Sequence, residues 1–408
     1  MKKTSANPRV VLAIVALCGF AKTAWGGAID VPMQNAKAAA EADAFTAQSD
    51  DPSAIFYNPA GLTQLHGTQF SAGAMYLQPI FHFKGDDGSN ERMDQPSVLP
   101  HLYAESDFGT DRFRFGIGVN NVFGINEDYG DHGPLRTLVD KAELSIVNIA
   151  PTVAFKVDDH LSFGAALNIY YGSIDLEKNV LLAAPPVPEG GFRFHGNDFA
   201  YGVTPSVMYK FNDQNQVGAY YRSPFSMDFD GKARVTSTVI PEIGPSRSDA
   251  TLRLPQSVGI GYAMKPIDPL TLETDVVWTD WHTVDQLKIN SSDPHFNGQT
   301  LPADWKSGFT FRGGVQYRLN QNWFLRGGYA YGQGSVPQST FSPIVPDSNY
   351  HLGSIGVGYS TDKWNLDLAY ELIFRERRNI HNSVNSPTVD GAWDNTIDGL
   401  MLTLTVKL

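Results

Sequence analysis

From Gly67 to the last residue, short segments in which apolar and polar side chains alternate with a period of two follow one another. In 363–374, Trp364, Leu366, Leu368, Tyr370 and Leu372 fall on one face and Asn365, Asp367, Ala369 and Glu371 on the other. In 397–408, Leu400, Leu402, Leu404, Val406 and Leu408 oppose Met401, Thr403, Thr405 and Lys407. In 308–318, Phe309, Phe311, Val315 and Tyr317 oppose Thr310, Arg312, Gln316 and Arg318. Period two sends successive side chains to opposite faces of a strand. Fourteen segments fit: 67–84, 97–107, 112–123, 141–157, 160–177, 199–211, 214–234, 251–264, 269–281, 308–318, 322–332, 349–360, 363–374 and 397–408.

A soluble sandwich and a membrane barrel both use such strands, and the connections distinguish them. Short ones (Gly109–Asp111, Asp158–Asp159, Asn212–Gln214, Pro266–Asp268, Asn320–Gln321, Thr361–Asp362) alternate with long ones (85–96, 124–140, 178–198, 235–250, 282–307, 333–348, 375–396). Short turns at one end and long loops at the other describe an outer-membrane barrel. Phe113, Trp323 and Trp364 start segments just after short turns, where an aromatic girdle would lie. The expected fold is an all-β, fourteen-stranded antiparallel transmembrane β-barrel, 67–408. Closure leaves no strand edge in lipid, and a lumen that wide needs water or a plug to fill it.

The N-terminus reads as a secretory signal, residues 1–26. Lys2, Lys3 and Arg9 form its basic start, Val10–Phe20 its apolar stretch, and Ala24-Trp25-Gly26 its cleavage site. Gly27 would begin the mature chain. Cys18, the sole cysteine, lies within the apolar stretch, after Leu17, which does not suit a lipoprotein cleavage site. Losing Lys2, Lys3, Arg9 and Lys22 takes the formal net charge from −12 to −16. So acidic a chain offers nucleic acid no footprint. No other apolar run reaches the length of about eighteen that a transmembrane helix needs.

Residues 27–66 are the expected hatch, a plug in the lumen with short helical pieces. Asp50–Leu62 contains two prolines and a glycine, which forbid a long element, yet Ile55, Phe56 and Tyr57 need cover. Enzyme motifs such as G-x-S-x-G and H-E-x-x-H are absent from the sequence, and the histidines lack ligand spacing. The expectation is a non-enzyme with no metal and no cofactor. The 178–198 loop carries Val180, Leu181, Leu182 and Val187, an apolar capture surface or loop-on-loop packing. In 112–123, Phe113, Phe115, Ile117 and Val119 face lipid in phase, and Asn121 would follow them. A polar residue there implies a bend, bulge or gap. Pro151 marks a second irregularity.

The chain resembles the FadL-type outer-membrane transporters of hydrophobic compounds, TodX-like members included. Asn58-Pro59-Ala60, Phe70–Tyr76, Phe115–Gly118 and Phe123-Gly124 carry the resemblance. It implies passive transport of hydrophobic compounds, long-chain fatty acids first, aromatic hydrocarbons as the alternative, and a polar-solute porin after those. It also implies capture by extracellular loops, then sideways release where the third strand kinks, at Asn120, Asn121, Phe123 and Gly124, against Asn58, Pro59 and Ala60. The expected partners are the hydrophobic solute, outer-membrane lipid with lipopolysaccharide, and the barrel assembly machinery, around a monomer. The final Leu408, where such barrels commonly end in an aromatic, departs from the pattern. Arg112, Arg114, Arg222, Arg253, Arg312 and Arg326 fall on inward phases, to meet a carboxylate ligand or the lumenal Glu273, Asp275, Asp367 and Glu371.

Overall fold

The alternating segments close into a barrel in the computed structural model, which describes residues 29–181, 189–237 and 240–408. Its fourteen antiparallel strands are β1 (Thr68–Gly85), β2 (Ser97–Ser106), β3 (Phe113–Asp128), β4 (Lys141–Lys156), β5 (Leu161–Leu181), β6 (Glu189–Asn212) and β7 (Asn215–Arg222 continued by Phe225–Thr236). They go on with β8 (Ile243–Leu254 continued by Ser257–Ile267), β9 (Leu270–Thr279), β10 (Gly308–Arg318), β11 (Trp323–Gly332), β12 (Tyr350–Ser360), β13 (Trp364–Arg375) and β14 (Gly391–Lys407). β1 pairs with β14 from Gln69↔Lys407 to Gly85↔Gly391, which closes the ring.

The two faces of each strand meet different media. Leu366, Leu368, Tyr370, Leu372 and Phe374 of β13 are exposed, while Asp367, Ala369 and Glu371 are buried. Apolar atoms turned outward toward hydrocarbon, with carboxylates turned inward, reverse the order of a soluble protein. Trp323 and Tyr359 lie 4.9 Å apart and Tyr359 and Trp364 5.3 Å apart, forming part of the lower aromatic girdle. At the other end several strands outrun the alternation. β5 and β6 stay paired to Leu181↔Glu189, so most of the expected 178–198 loop is protruding hairpin. β3 runs on to Asp128, past the expected end at 123.

The hatch fills the lumen below that end. It holds two short helices, α1 (Ala36–Ala39) and α2 (Ala54–Tyr57), then a 3₁₀ turn over Pro59–Gln64. Each is too short to persist alone, so caps and the barrel hold them. Asn35 caps α1 by accepting from Lys37 N at 2.7 Å. Asn58 caps the 3₁₀ turn by accepting from Ala60 N at 3.1 Å, and Pro59, which has no N–H to satisfy, takes its first position. Ile55, Phe56 and Tyr57 are buried.

The barrel makes room for the hatch with glycine. A Cβ at Gly164 (β5) would lie 2.3 Å from Ala60 N, and one at Gly328 (β11) 2.3 Å from Glu41 C. On four further strands a Cβ at Gly118, Gly218, Gly314 or Gly356 would lie 2.9, 2.4, 2.8 and 2.4 Å from the hatch. The hatch thus rests on a shelf of bare backbone, a use of strand glycine for close approach.

Candidate functional site

The wall changes character in β3. Phe113, Phe115 and Ile117 face lipid, but Val119 is only 8% exposed and everything from Asn120 to Glu127 is buried. The alternation therefore ends one step earlier than the sequence phase suggests. Asn121 points away from lipid at 1% exposure, because the strand itself bends inward. Val122 is the extra residue of a bulge: Asn121 pairs with Val147 and Phe123 with Ile146 of β4.

The bend opens a window. β2 and β3 pair only from Ser106↔Phe115 to Leu102↔Val119. Above that point β2 continues against β1, and β3 continues against β4. Across the window the strands meet again where Asn126 donates to Ser97 Oγ at 3.1 Å.

The first described residues of the hatch occupy the freed edge of β3. Asp30 bridges to Phe123, Val31 N donates to Val122 O at 3.1 Å, and Gly124 N donates to Ile29 O at 2.9 Å. Gln34 adds a side-chain latch. It donates to Asn121 O at 2.6 Å and accepts from Asn120 Nδ2 at 2.8 Å. This corrects the expectation that Asn58-Pro59-Ala60 brace the kink. Asn58 donates to Thr46 O at 2.8 Å and to Val207 O of β6 at 3.3 Å, and Ala60 N donates to Ser206 Oγ at 2.9 Å. The motif seats the hatch on β5 and β6, while Ile29–Gln34 holds β3. Sequence reasoning missed this stretch: Pro32 marks an irregular backbone, but nothing in the side chains points to pairing with β3.

Above the hatch lies an apolar pocket. Ile29 and Ile125 form its floor beside the window, and Leu144, Leu252, Val284 and Trp305 are among its walls. Toward the loops it adjoins a second space, with Leu176, Leu301 and Ile344 lining both. There Lys178 is half-buried 5.9 Å from the Phe192 ring centre, with no ion pair among the described residues. Val180 is half-buried against the core, and Leu181 ends β5. Leu182 and Val187 lie outside the described residues, as do 1–28 with the expected signal. Below the pocket, Phe123 lies 5.9 Å from Phe225 and 6.1 Å from Trp281, an aromatic partition. Beneath that is a small chamber lined by Asp30, Phe56, Tyr220, Arg222 and Arg312.

Most inward arginines hold wall and hatch. Arg114 pairs with Glu105 and Asp107, and Arg326 with Asp367 at 2.7 Å and Glu41 at 3.6 Å. Arg312 donates to Asp43 O at 3.1 Å and Arg222 to Phe56 O at 3.0 Å. Arg112 and Arg253 are exposed instead. Arg112 sits in a turn, and the break of β8 at Pro255 resets the phase before which Arg253 stands. Glu273 and Asp275 bind hatch backbone: Ala47 N and Gln48 N reach Glu273 at 2.6 and 2.8 Å, and Phe45 N and Thr46 N reach Asp275 at 3.0 Å.

A hatch-plugged barrel with an apolar pocket above the hatch is the build of an outer-membrane transport protein. The chain belongs to the outer membrane protein transport protein family (OMPP1/FadL/TodX), whose model matches residues 17–407. The long-chain fatty acid transport protein of Salmonella typhi is 23% identical over 352 residues, covering 77% of this chain and 79% of that one. The crystal structure of a Pseudomonas aeruginosa FadL homologue superposes with a TM-score of 0.84 at 19% identity, over 93% of this chain and 100% of the other. That of the Pseudomonas putida toluene transporter TodX gives 0.73 at 18% identity, over 93% and 99%. The protein is an outer-membrane barrel of a transporter family, not an enzyme.

Proposed function

We propose that the protein carries hydrophobic compounds, long-chain fatty acids above all, across the outer membrane by diffusion. They enter at the loop end, rest in the apolar pocket and leave sideways through the β2–β3 window. One observation carries the sideways exit: Ile29 and Ile125, which floor the pocket, belong to the two segments that stand at the window. The way straight down is blocked, since the hatch is clamped on its glycine shelf. An apolar solute gains nothing from an aqueous exit and loses nothing on passing from pocket to lipid.

Lys178 favours an acid over a bare hydrocarbon. A carboxylate at its ammonium would leave the alkyl chain beside Leu176, Leu301 and Ile344, which also line the apolar pocket beneath. Aromatic hydrocarbons are the second reading, because Ser342 and Thr340 are the only polar residues lining the inner pocket among those described. Uptake of labelled palmitate and toluene by a strain expressing Lys178→Gln separates the two. A charged hydrogen bond is worth about 1.5–3 kcal/mol, so palmitate uptake falls roughly tenfold and toluene uptake holds. Equal uptake of palmitate by both proteins rules out the Lys178 anchor. Absence of uptake of either probe by the folded parent protein rules out the transport reading.

A further inference from the structure

The wall has a second weak seam, four strands beyond the first. β6 pairs with the upper half of β7 from Gly191↔Thr236 to Asn197↔Asp230, and with its lower half from Ser206↔Tyr220 downward. Residues 198–205 between them have no ladder partner on β7, although β5 pairs with all of them. Ser223 and Pro224 interrupt β7 at this height, and proline has no N–H to give. Ser223 closes most of the seam: its N–H reaches Val203 O at 3.0 Å, and its Oγ accepts from Val203 N at 2.9 Å. A side-chain hydroxyl stands where a sheet would use a backbone carbonyl.

A chamber lies on the inner side of this thin place and an apolar groove on the outer side. Inside, Tyr170 stacks on Phe225 at 3.9 Å, next to Phe123 and the lower chamber, which Tyr220 and Arg222 line. The Tyr170 hydroxyl is fully buried without a hydrogen-bond partner among the described residues. That costs about 1–3 kcal/mol, unexpected for a residue serving only as filler. Outside, Val203 and Pro205 line a lipid-facing groove with Pro151, Val153 and Leu167. Under the groove the β4–β5 ladder also skips, from Ile149↔Ile169 to Thr152↔Ala166. Exposed Phe199 and Tyr201 flank the groove on one side and Tyr209 and Phe211 on the other, so it lies at bilayer depth.

We propose that the β6–β7 seam is a second side portal, with the Tyr170–Phe225 stack as its door, that passes the hydrocarbon chain of the solute from the lower chamber to the outer groove. This rests on the transport function proposed above. The occupant follows from the groove: Pro151, Val153, Leu167, Val203 and Pro205 offer no side-chain partner to a polar group, and an alkyl chain needs none.

The test staples the seam. In a Cys18→Ser background, Val203→Cys and Ser223→Cys are joined by oxidation and the barrel is placed in lipid vesicles. Transfer of labelled palmitate and toluene is then measured before and after reduction. Stapling is expected to slow transfer of at least one probe threefold or more, with full recovery on reduction. An Ile355→Cys/Tyr370→Cys staple, in an unbroken part of the wall, has no effect. Equal rates with the Val203–Ser223 staple closed and open overturn the portal and leave transport standing. Failure of the reduced protein, correctly folded, to carry either probe overturns transport and the portal with it. A second readout uses palmitate bearing a diazirine. Labelling of Leu167 rises at least twofold in Phe225→Ala if the chain arrives through the door. Labelling that ignores Phe225→Ala means that the groove holds bilayer acyl chains only, and the portal is wrong.

Discussion

Glu41 shows what burial costs a single side chain. It is fully buried in the hatch, and its nearest cation is Arg326 at 3.6 Å. Burial pushes its carboxyl up to about 7, against the pull of Arg326 and Lys37. A raised acid pKa means that the folded chain holds the proton more tightly than the unfolded chain. The stability this contributes is complete below about 4.5 and lost as pH rises through about 7. Glu41→Gln fixes the neutral form. Urea unfolding in micelles is expected to find the variant more stable at pH 8 by about 3 kcal/mol or slightly more, since each pK unit is worth about 1.4 kcal/mol, and equal to the parent at pH 4. A variant less stable at pH 8 would mean that the Arg326 contact outweighs desolvation. Asp51 shares the trend: burial lifts it to about 6.

At the scale of elements, the bulge in β3 and the cap at Asn58 do separate work. Deleting Val122 restores a one-to-one register with β4 and removes the cause of the bend. It also sends the residues before it to the opposite face. The deletion variant should still migrate as a folded, heat-modifiable barrel yet lose most palmitate uptake; unchanged uptake would remove the window from the path. Asn58→Ala loses a cap worth about 1 kcal/mol. It should make the hatch more sensitive to protease while the Asp30–Phe123 bridge persists. The strands themselves were legible in the sequence, because a barrel strand meets lipid on one face and a wet, filled lumen on the other, and each residue reports its own face. The bend was legible only as a disturbance at Asn121. Beyond it, Val122 and Phe123 pair through their backbone with Val31 and Asp30, and backbone pairing leaves no trace in side-chain pattern. For the same reason the Asn58-Pro59-Ala60 corner could be read as a turn, but not assigned to β5 and β6. The glycines of the shelf looked like ordinary strand glycines, since nothing local distinguishes a glycine that faces a hatch.

For the whole molecule, the filled lumen makes an electrical prediction. Hatch backbone lies against glycine on strands spread around the ring, and Glu273 and Asp275 clamp its middle. Planar bilayers should therefore show little steady ionic conductance. Gly164→Leu or Gly328→Leu, which drives a side chain into hatch backbone that cannot yield, should unseat the hatch and raise conductance several-fold. A silent Gly328→Leu barrel would show that the shelf is not what holds the hatch down.

The same shelf constrains how the molecule can be made. The hatch comes first in the chain, yet Ala36 N bonds Thr403 of β14, and Ala42 N bonds Ser354 of β12. Contacts so distant in sequence form late, so the hatch stays without its seat until most of the wall has been synthesised. Once β1 zips to β14 along its whole length, no edge remains through which the hatch could slide in. Assembly must therefore fold the wall around the hatch, and the last step that seals the barrel also seals in its cargo.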